Sequence, residues 1–177
     1  MIKISIITAC YNSETTIENT IQSVLNQDYK NVEYIIIDAL STDNTLAIAK
    51  KYAEKISRID SEKDEGMYYG LNKGIHYATG DVIGFLHADD FYTDNFVLAK
   101  VAKQFENTQL DAIYGDLQYV DKNDTSKIFR NWKSQTYQEG LFLKGWMPPH
   151  PTFFVKKVCY KKFGVFNTLL KSAADYE

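Results

Sequence analysis

Cysteine is scarce in this chain: Cys10 and Cys159 are the only two in 177 residues. Two distant thiols make neither a disulfide framework nor the spacing of a metal site, and they read as reduced packing thiols of a cytoplasmic protein. No window approaches the roughly 18 apolar residues of a membrane span. The opening MIKISIITACYN lacks the long apolar core and small-residue cleavage site of a secretory leader. Excess charge is also absent: 20 basic and 23 acidic residues leave −3, which gives no reason to expect nucleic acid as partner. There is no G-x-G-x-x-G after the first apolar run and no G-x-x-x-x-G-K-[ST] anywhere, which disfavours dinucleotide-binding dehydrogenases and P-loop NTPases. The absence of G-x-S-x-G removes the usual hydrolase elbow. No repeat or low-complexity segment interrupts the chain.

What is present is a regular alternation. Ile4–Thr8, Val32–Ile37, Ile56–Ile59, Val82–Leu86 and Ala112–Tyr114 are short β-branched or apolar runs that read as buried strands. Between them lie helical stripes. Ile17, Ile21, Val24 and Leu25 form one, with Ser13 as expected cap. Leu46, Ala47 and Ala53 are expected to face inward on a second, begun by Asp43 or Asn44. Met67, Leu71, Ile75 and Ala78 mark a third that Gly80 is expected to stop, and Val97, Val101 and Phe105 a fourth. Such alternation implies an α/β fold with a parallel sheet between helices. After Asp116 the pattern changes to a hairpin, Leu117–Val120 with Ser126–Trp132, then the Pro-containing GLFLKGWMPPHPTFFV and a helix over Lys156–Phe163. The length suits one domain, 1–177.

In open α/β sheets ligands sit beyond the carboxyl ends of the strands. Those ends are Ala9–Asn12, Asp38–Asp43, Asp60–Gly66, His87–Asp90 and Gly115–Asp116, and four of the five are acidic. Asp89 and Asp90 are adjacent carboxylates where a buried strand leaves the sheet. Like charges so close call for a cation or hydrogen-bond donors, and hard oxygen ligands suit Mg²⁺ or Mn²⁺ shared with a substrate's phosphates. Taken alone, the pair is also compatible with a solvated turn.

The motifs, taken in order, resemble the family 2 glycosyltransferases. Tyr11-Asn12, Ser23–Gln27, Asp38 and Ser41-Thr42-Asp43 match the opening pattern, NKGIHYATGDVIGFLHADD the D-x-D-D block, and ADYE the late acidic motif. DEGMYYGLNKGI, YGDLQYVD and GWMPPHPTFFV resemble polysaccharide-biosynthesis members of the WcaE-like group. The resemblance implies a GT-A fold, a Rossmann-like mostly parallel sheet flanked by helices, with a small irregular or antiparallel acceptor-side part. Residues 1–116 would be the nucleotide-sugar-binding half and 117–177 the acceptor-side half, incomplete at its C-terminus. It further implies inverting transfer from a nucleotide-sugar donor to a saccharide or lipid-linked saccharide, in exopolysaccharide or surface-glycan synthesis, in the cytoplasm or at the inner membrane face.

Roles follow from the same resemblance. Asp90 would ligate Mg²⁺ or Mn²⁺, with Asp89 on the ribose or sharing the metal. Tyr11 and the Ala9 backbone would hold the base. Asp175 would be the general base. Asp64 would contact the nucleotide or cap the helix that follows, and Asp38 would contact the nucleoside or order the STDNT turn. Trp146 would stack on a sugar, and His150 would assist metal or acceptor, or serve structurally. Ala39, Leu40, His87 and Ala174 depart from the family pattern, which leaves base identity and metal preference open. A nucleotidyltransferase-like enzyme and a non-catalytic nucleotide-sugar-binding fragment are the competing expectations.

Overall fold

The structure is a computed structural model that describes residues 1–107, 109–170 and 174. Among these described residues, eight strands and five α-helices follow in chain order: β1 Ile4–Cys10, α1 Ile17–Leu25, β2 Val32–Asp38, α2 Thr45–Lys50, β3 Arg58–Ser61, α3 Met67–Tyr77, β4 Val82–Phe85, α4 Val97–Phe105, β5 Ala112–Ile113, β6 Leu117–Val120, β7 Ile128–Trp132, β8 Phe154–Lys156 and α5 Lys157–Phe163. Six strands form one sheet in the order β3-β2-β1-β4-β8-β5, and β6 pairs with β7 as a separate hairpin. The pairs β1–β2, β1–β4 and β2–β3 are parallel.

Alternate side chains of each strand go to opposite faces. Ile4, Ile6, Tyr34 and Ile36 join Ile17, Ile21 and Val24 of α1 and Leu98, Val101 and Phe105 of α4 in one core. Ile7, Ile35 and Ile37 join Tyr68, Leu71 and Ile75 of α3 in the other. The near-continuous apolar strands are thus explained by cover on both faces. On α3, Gly70 and Gly74 let the helix lie close on β1: a Cβ at Gly74 would come within 2.3 Å of Ile7 Cγ2.

Several local expectations differ from what the chain does. Ser13 offers its carbonyl, not its side chain, to the start of α1, accepting from Thr16 N and Ile17 N at 3.0 and 2.9 Å. Ala47 and Ala53 are exposed, while Thr45 and Ala49 are buried, because α2 is only six residues long and turns its other side to α1. The third strand begins at Arg58 rather than Ile56. α3 ends at Tyr77, three residues before Gly80. A Cβ at Gly80 would stand 2.6 Å from Ser5 Oγ and 2.8 Å from the Lys3 carbonyl, so this glycine serves a close approach, not a helix stop.

The largest difference is β8. It runs antiparallel between β4 and β5, pairing Gly84 with Phe154 and Ile113 with Phe154. β5 therefore runs in the same direction as β1–β4, and the start of β8 joins their carboxyl ends on one edge.

Candidate active site

That edge opens into a cleft of about 1570 Å³. Ala9, Tyr11, Asp64, Asp89, Asp90 and Asp116 all line it. A smaller hollow of about 440 Å³ beside β3, with Leu46, Ile56 and Arg58 in its walls, carries none of these carboxylates.

The first wall is the turn after β1. Tyr11 is 59% exposed there. Asn12 adopts the left-handed backbone, φ 48°, a conformation asparagine tolerates better than most residues. Its side-chain oxygen accepts from Thr42 N at 2.9 Å, and its own N–H donates to Ser41 Oγ at 2.9 Å. The loops after β1 and β2 are thereby tied together.

Asp38 is part of that tie. It is 1% exposed. Its carboxylate accepts from Ser41 N at 3.1 Å, Ser41 Oγ at 2.5 Å and Ser61 Oγ at 2.6 Å. With its oxygens so engaged, Asp38 orders the STDNT turn and does not line the cleft. Asp43 accepts from Thr45 N at 2.9 Å and from Glu14 N at 3.1 Å, serving the same junction. Leu40, in the same turn, is held at φ 58°.

Asp64 accepts from Gly66 N at 3.0 Å just before α3. Gly70 on that helix leaves it room, since a Cβ there would meet Asp64 Oδ2 and Ala9 Cβ at 3.3 Å each. One Asp64 carboxylate oxygen thus anchors the turn, on a residue that lines the cleft.

The loop after β4 is a tight turn in which Asp90 N donates to the His87 carbonyl at 3.0 Å. Asp89 is exposed and Asp90 half-buried. Burial, with the neighbouring Asp89, raises the Asp90 carboxyl above its ordinary value, against the opposing influence of His87. The pair is therefore an under-compensated anionic centre, the environment that a cation would relieve. Among the described residues no group of three or more His, Cys, Asp and Glu can hold a metal by itself. Two adjacent carboxylates with open positions fit a hard divalent ion whose remaining ligands come from phosphates and water.

The acceptor-side expectations divide. Trp146 packs with Tyr114 at 5.7 Å, Phe142 at 5.9 Å and Tyr137 at 6.3 Å between ring centres. Of this cluster Tyr114 reaches the cleft wall. His150 stacks edge-on to Phe85 and His87, each at 5.5 Å, beneath the carboxylate turn. Asp175 lies outside the described residues. Its neighbour Ala174 is buried against α3, its N–H donating to the Tyr68 hydroxyl at 3.1 Å.

Two positioning contacts escaped the sequence reading. The Thr20 hydroxyl on α1 donates to the Asp90 carbonyl at 2.8 Å. Gln27 is buried, accepts from Leu98 N at the start of α4 at 3.0 Å, and donates to the Asp94 carbonyl at 2.8 Å. The S-x-x-x-Q spacing singled out Gln27, but not its partners some 70 residues away.

The arrangement defines an α/β protein with a carboxylate-lined cleft at the carboxyl edge of its sheet, the GT-A architecture. Residues 5–164 match the family described as Glycosyl transferase family 2, and the chain belongs to that family. The family match does not favour the nucleotidyltransferase-like alternative. The chain is 31% identical over 139 residues to the UDP-Glc:alpha-D-GlcNAc-diphosphoundecaprenol beta-1,3-glucosyltransferase WfgD of Escherichia coli, a match covering 78% of this chain and 54% of the relative. Residues 1–349 of TarS from S. aureus, solved with UDP-GlcNAc, superpose with a TM-score of 0.77 at 21% identity, over 93% of this chain and 48% of that one. The mannosyltransferase PcManGT of Pyrobaculum calidifontis, solved with GDP-Man and Mn²⁺, gives 0.72 at 20%, over 94% and 48%. At these identities the two structures show the fold. The chain spans between 33% and 66% of the length of the first curated relatives it matches. Among the described residues no helix is long and apolar enough to cross a membrane.

Proposed function

We propose that this chain forms the donor-binding part of a metal-dependent, inverting glycosyltransferase that passes a sugar from a nucleotide donor to a saccharide or lipid-linked saccharide. The observation that carries the reading is the convergence of Tyr11, Asp64, Asp89 and Asp90 in one cleft at the carboxyl edge of the sheet. The donors bound by TarS and PcManGT, and the reaction named for WfgD, support it.

In this reading the exposed ring of Tyr11 and the Ala9 backbone hold the base. Asp64, fixed through Gly66, faces the nucleotide. Asp90 and Asp89 hold Mg²⁺ or Mn²⁺. When bound, that ion neutralises the charge that develops on the departing diphosphate. The chain's own contribution is to keep the carboxylate turn in place, through Thr20 and the His87–Asp90 turn bond, so that little reorganisation is needed at the moment of transfer. Asp175 is assigned as the base that takes the proton from the attacking acceptor hydroxyl, on the strength of its place in the late motif. Asp38 contributes by ordering the turn after β2. The product fits surface or exopolysaccharide assembly, with the protein at the cytoplasmic membrane face.

The test is sugar release from UDP-, GDP-, dTDP- and CDP-linked sugars, with and without Mn²⁺. One donor is expected to be turned over, and only with metal. Binding of a donor with no turnover to water or any acceptor would instead establish a non-catalytic nucleotide-sugar-binding piece.

A further inference from the structure

Of the cluster formed by Tyr114, Tyr137, Phe142 and Trp146, Tyr114 is the ring that lines the cleft. It is the first residue after β5, and it is fixed at two points. Its hydroxyl donates to the Gln135 carbonyl at 2.8 Å. Its ring meets Trp146 edge-on at 5.7 Å, and Trp146 is packed in turn by Phe142 and Tyr137. A phenol held this way has its hydroxyl engaged and its rotation restricted. What it offers the cleft is ring surface.

The sheet sets where that surface lies. In the order β3-β2-β1-β4-β8-β5, Asp64 follows β3, Tyr11 follows β1, the Asp89–Asp90 turn follows β4 and Tyr114 follows β5. All of them line the one cleft. β5 is two strands from β4, about 10 Å at the usual strand spacing. The nucleotide contacts therefore lie on one flank of the carboxylate pair and Tyr114 on the other, with room for the sugar under transfer between. The space beside the ring is open: Gly115 also lines the cleft, and a Cβ there would meet no atom within 4 Å. Asp116 comes next on the same wall. Its Oδ2 accepts from Lys133 at 2.7 Å and keeps a lone pair for a hydroxyl. A neutral ligand meets no repulsion from Asp89 and Asp90. A pyranose with equatorial hydroxyls is neutral and presents a face of axial C–H bonds, which suits the negative face of an aromatic ring.

We propose that Tyr114 is the stacking platform for the sugar ring that carries the attacking hydroxyl, a neutral pyranose, with Trp146 packed behind it. The inference rests on the glycosyl-transfer reading above. It moves the stacking role from Trp146, where the sequence placed it, to the ring that the cleft exposes. Tyr114 thereby becomes a specificity-determining residue on the acceptor flank.

The test is saturation-transfer difference NMR on the whole chain, without donor or metal. Methyl β-D-glucopyranoside is the probe, and glycerol is the control polyol without a ring. Irradiation of the aromatic protons is expected to saturate the axial ring protons of the glucoside most strongly, and glycerol hardly at all. Tyr114→Phe and Tyr114→Leu both lose the bond to Gln135, and only the second loses the ring. Tyr114→Phe is expected to bind the glucoside within about 2-fold of wild type, and Tyr114→Leu about 5-fold or more weakly and without the axial-proton pattern. Gly115→Ala adds a methyl group to open space, so it should weaken glucoside binding while the thermal midpoint stays unchanged. Equal losses in the two Tyr114 variants, undiminished binding in Gly115→Ala, or no glucoside signal above glycerol in wild type overturns the platform and leaves the donor reading standing. Donor calorimetry on Tyr114→Leu should show unaltered metal-linked affinity. Loss of donor binding in that variant would contradict a role confined to the acceptor flank.

Discussion

The hydroxyl of Thr20, in the middle of α1, donates to the main-chain carbonyl of Asp90 at 2.8 Å. This bond ties a helix of one core layer to the turn that carries the proposed metal ligands. Thr20 is buried, so its replacement by valine conserves shape and leaves the Asp90 carbonyl without this donor. Thr20→Val is expected to cost about 1 kcal/mol of stability. The same variant should weaken metal-linked donor binding several-fold, read by calorimetry, with no change in metal-free nucleotide binding. An unaltered metal increment would mean that the turn holds its shape without Thr20.

Leu40 occupies a left-handed conformation, φ 58°, on an exposed turn. A leucine there carries a steric penalty of roughly 1–2 kcal/mol, and asparagine visits the region more readily. Leu40→Asn is expected to raise stability by about 0.5–1 kcal/mol in urea unfolding. A lower midpoint would show that the leucine side chain makes a contact worth more than the strain.

Gly84 of β4 provides the space for Phe154 of β8. A Cβ at Gly84 would fall 2.4 Å from Phe154 Cε1 and 2.5 Å from Cδ1. Gly84→Ala should therefore destabilise by about 1–3 kcal/mol through overpacking. Adding Phe154→Leu should recover part of that loss, giving a non-additive double-mutant cycle. Strict additivity would argue against the β4–β8 register.

Glu33 sets an acid limit to stability. Burial by itself raises its carboxyl. Hydrogen bonds from Ser5, from the side chain and N–H of Thr79, and from Lys3 more than offset this and bring it to about 2. A depressed folded-state pKa stabilises above the unfolded value of 4.5 and loses that contribution as pH falls towards 2. The wild type is expected to lose about 3 kcal/mol across this window. Glu33→Gln should lack that part of the dependence, with urea unfolding at several pH values as the readout. Parallel pH profiles for the two proteins would contradict the assignment.

How much of this was legible beforehand depended on sequence distance. The strands and the Asp89-Asp90 turn stand out because an apolar run stops at charge, a local signal. The occupancy of Asp38 was left open because Ser61, one of its hydrogen-bond donors, comes from the next strand, 23 residues on. β8 gave almost no signal. It has three residues, follows a proline-containing loop, and becomes a strand only because β4 and β5 both pair with it. Ala47 and Ala53 were misjudged because an alanine-rich stripe is compatible with either face, and only packing against α1 decides which one is covered. Gln27 was visible as a spaced motif, while its partner Leu98 lay beyond any local window.

The most direct measurement is calorimetry of donor binding to wild type and Asp90→Asn, with and without Mn²⁺, across UDP-, GDP-, dTDP- and CDP-sugars. The account predicts that one donor binds wild type at least 10-fold more tightly with metal, about 1.4 kcal/mol, and that Asp90→Asn loses this gain while retaining metal-free nucleotide affinity. If no sugar nucleotide binds in the presence of metal, or if Asp90→Asn keeps the full metal increment, the central claim is contradicted.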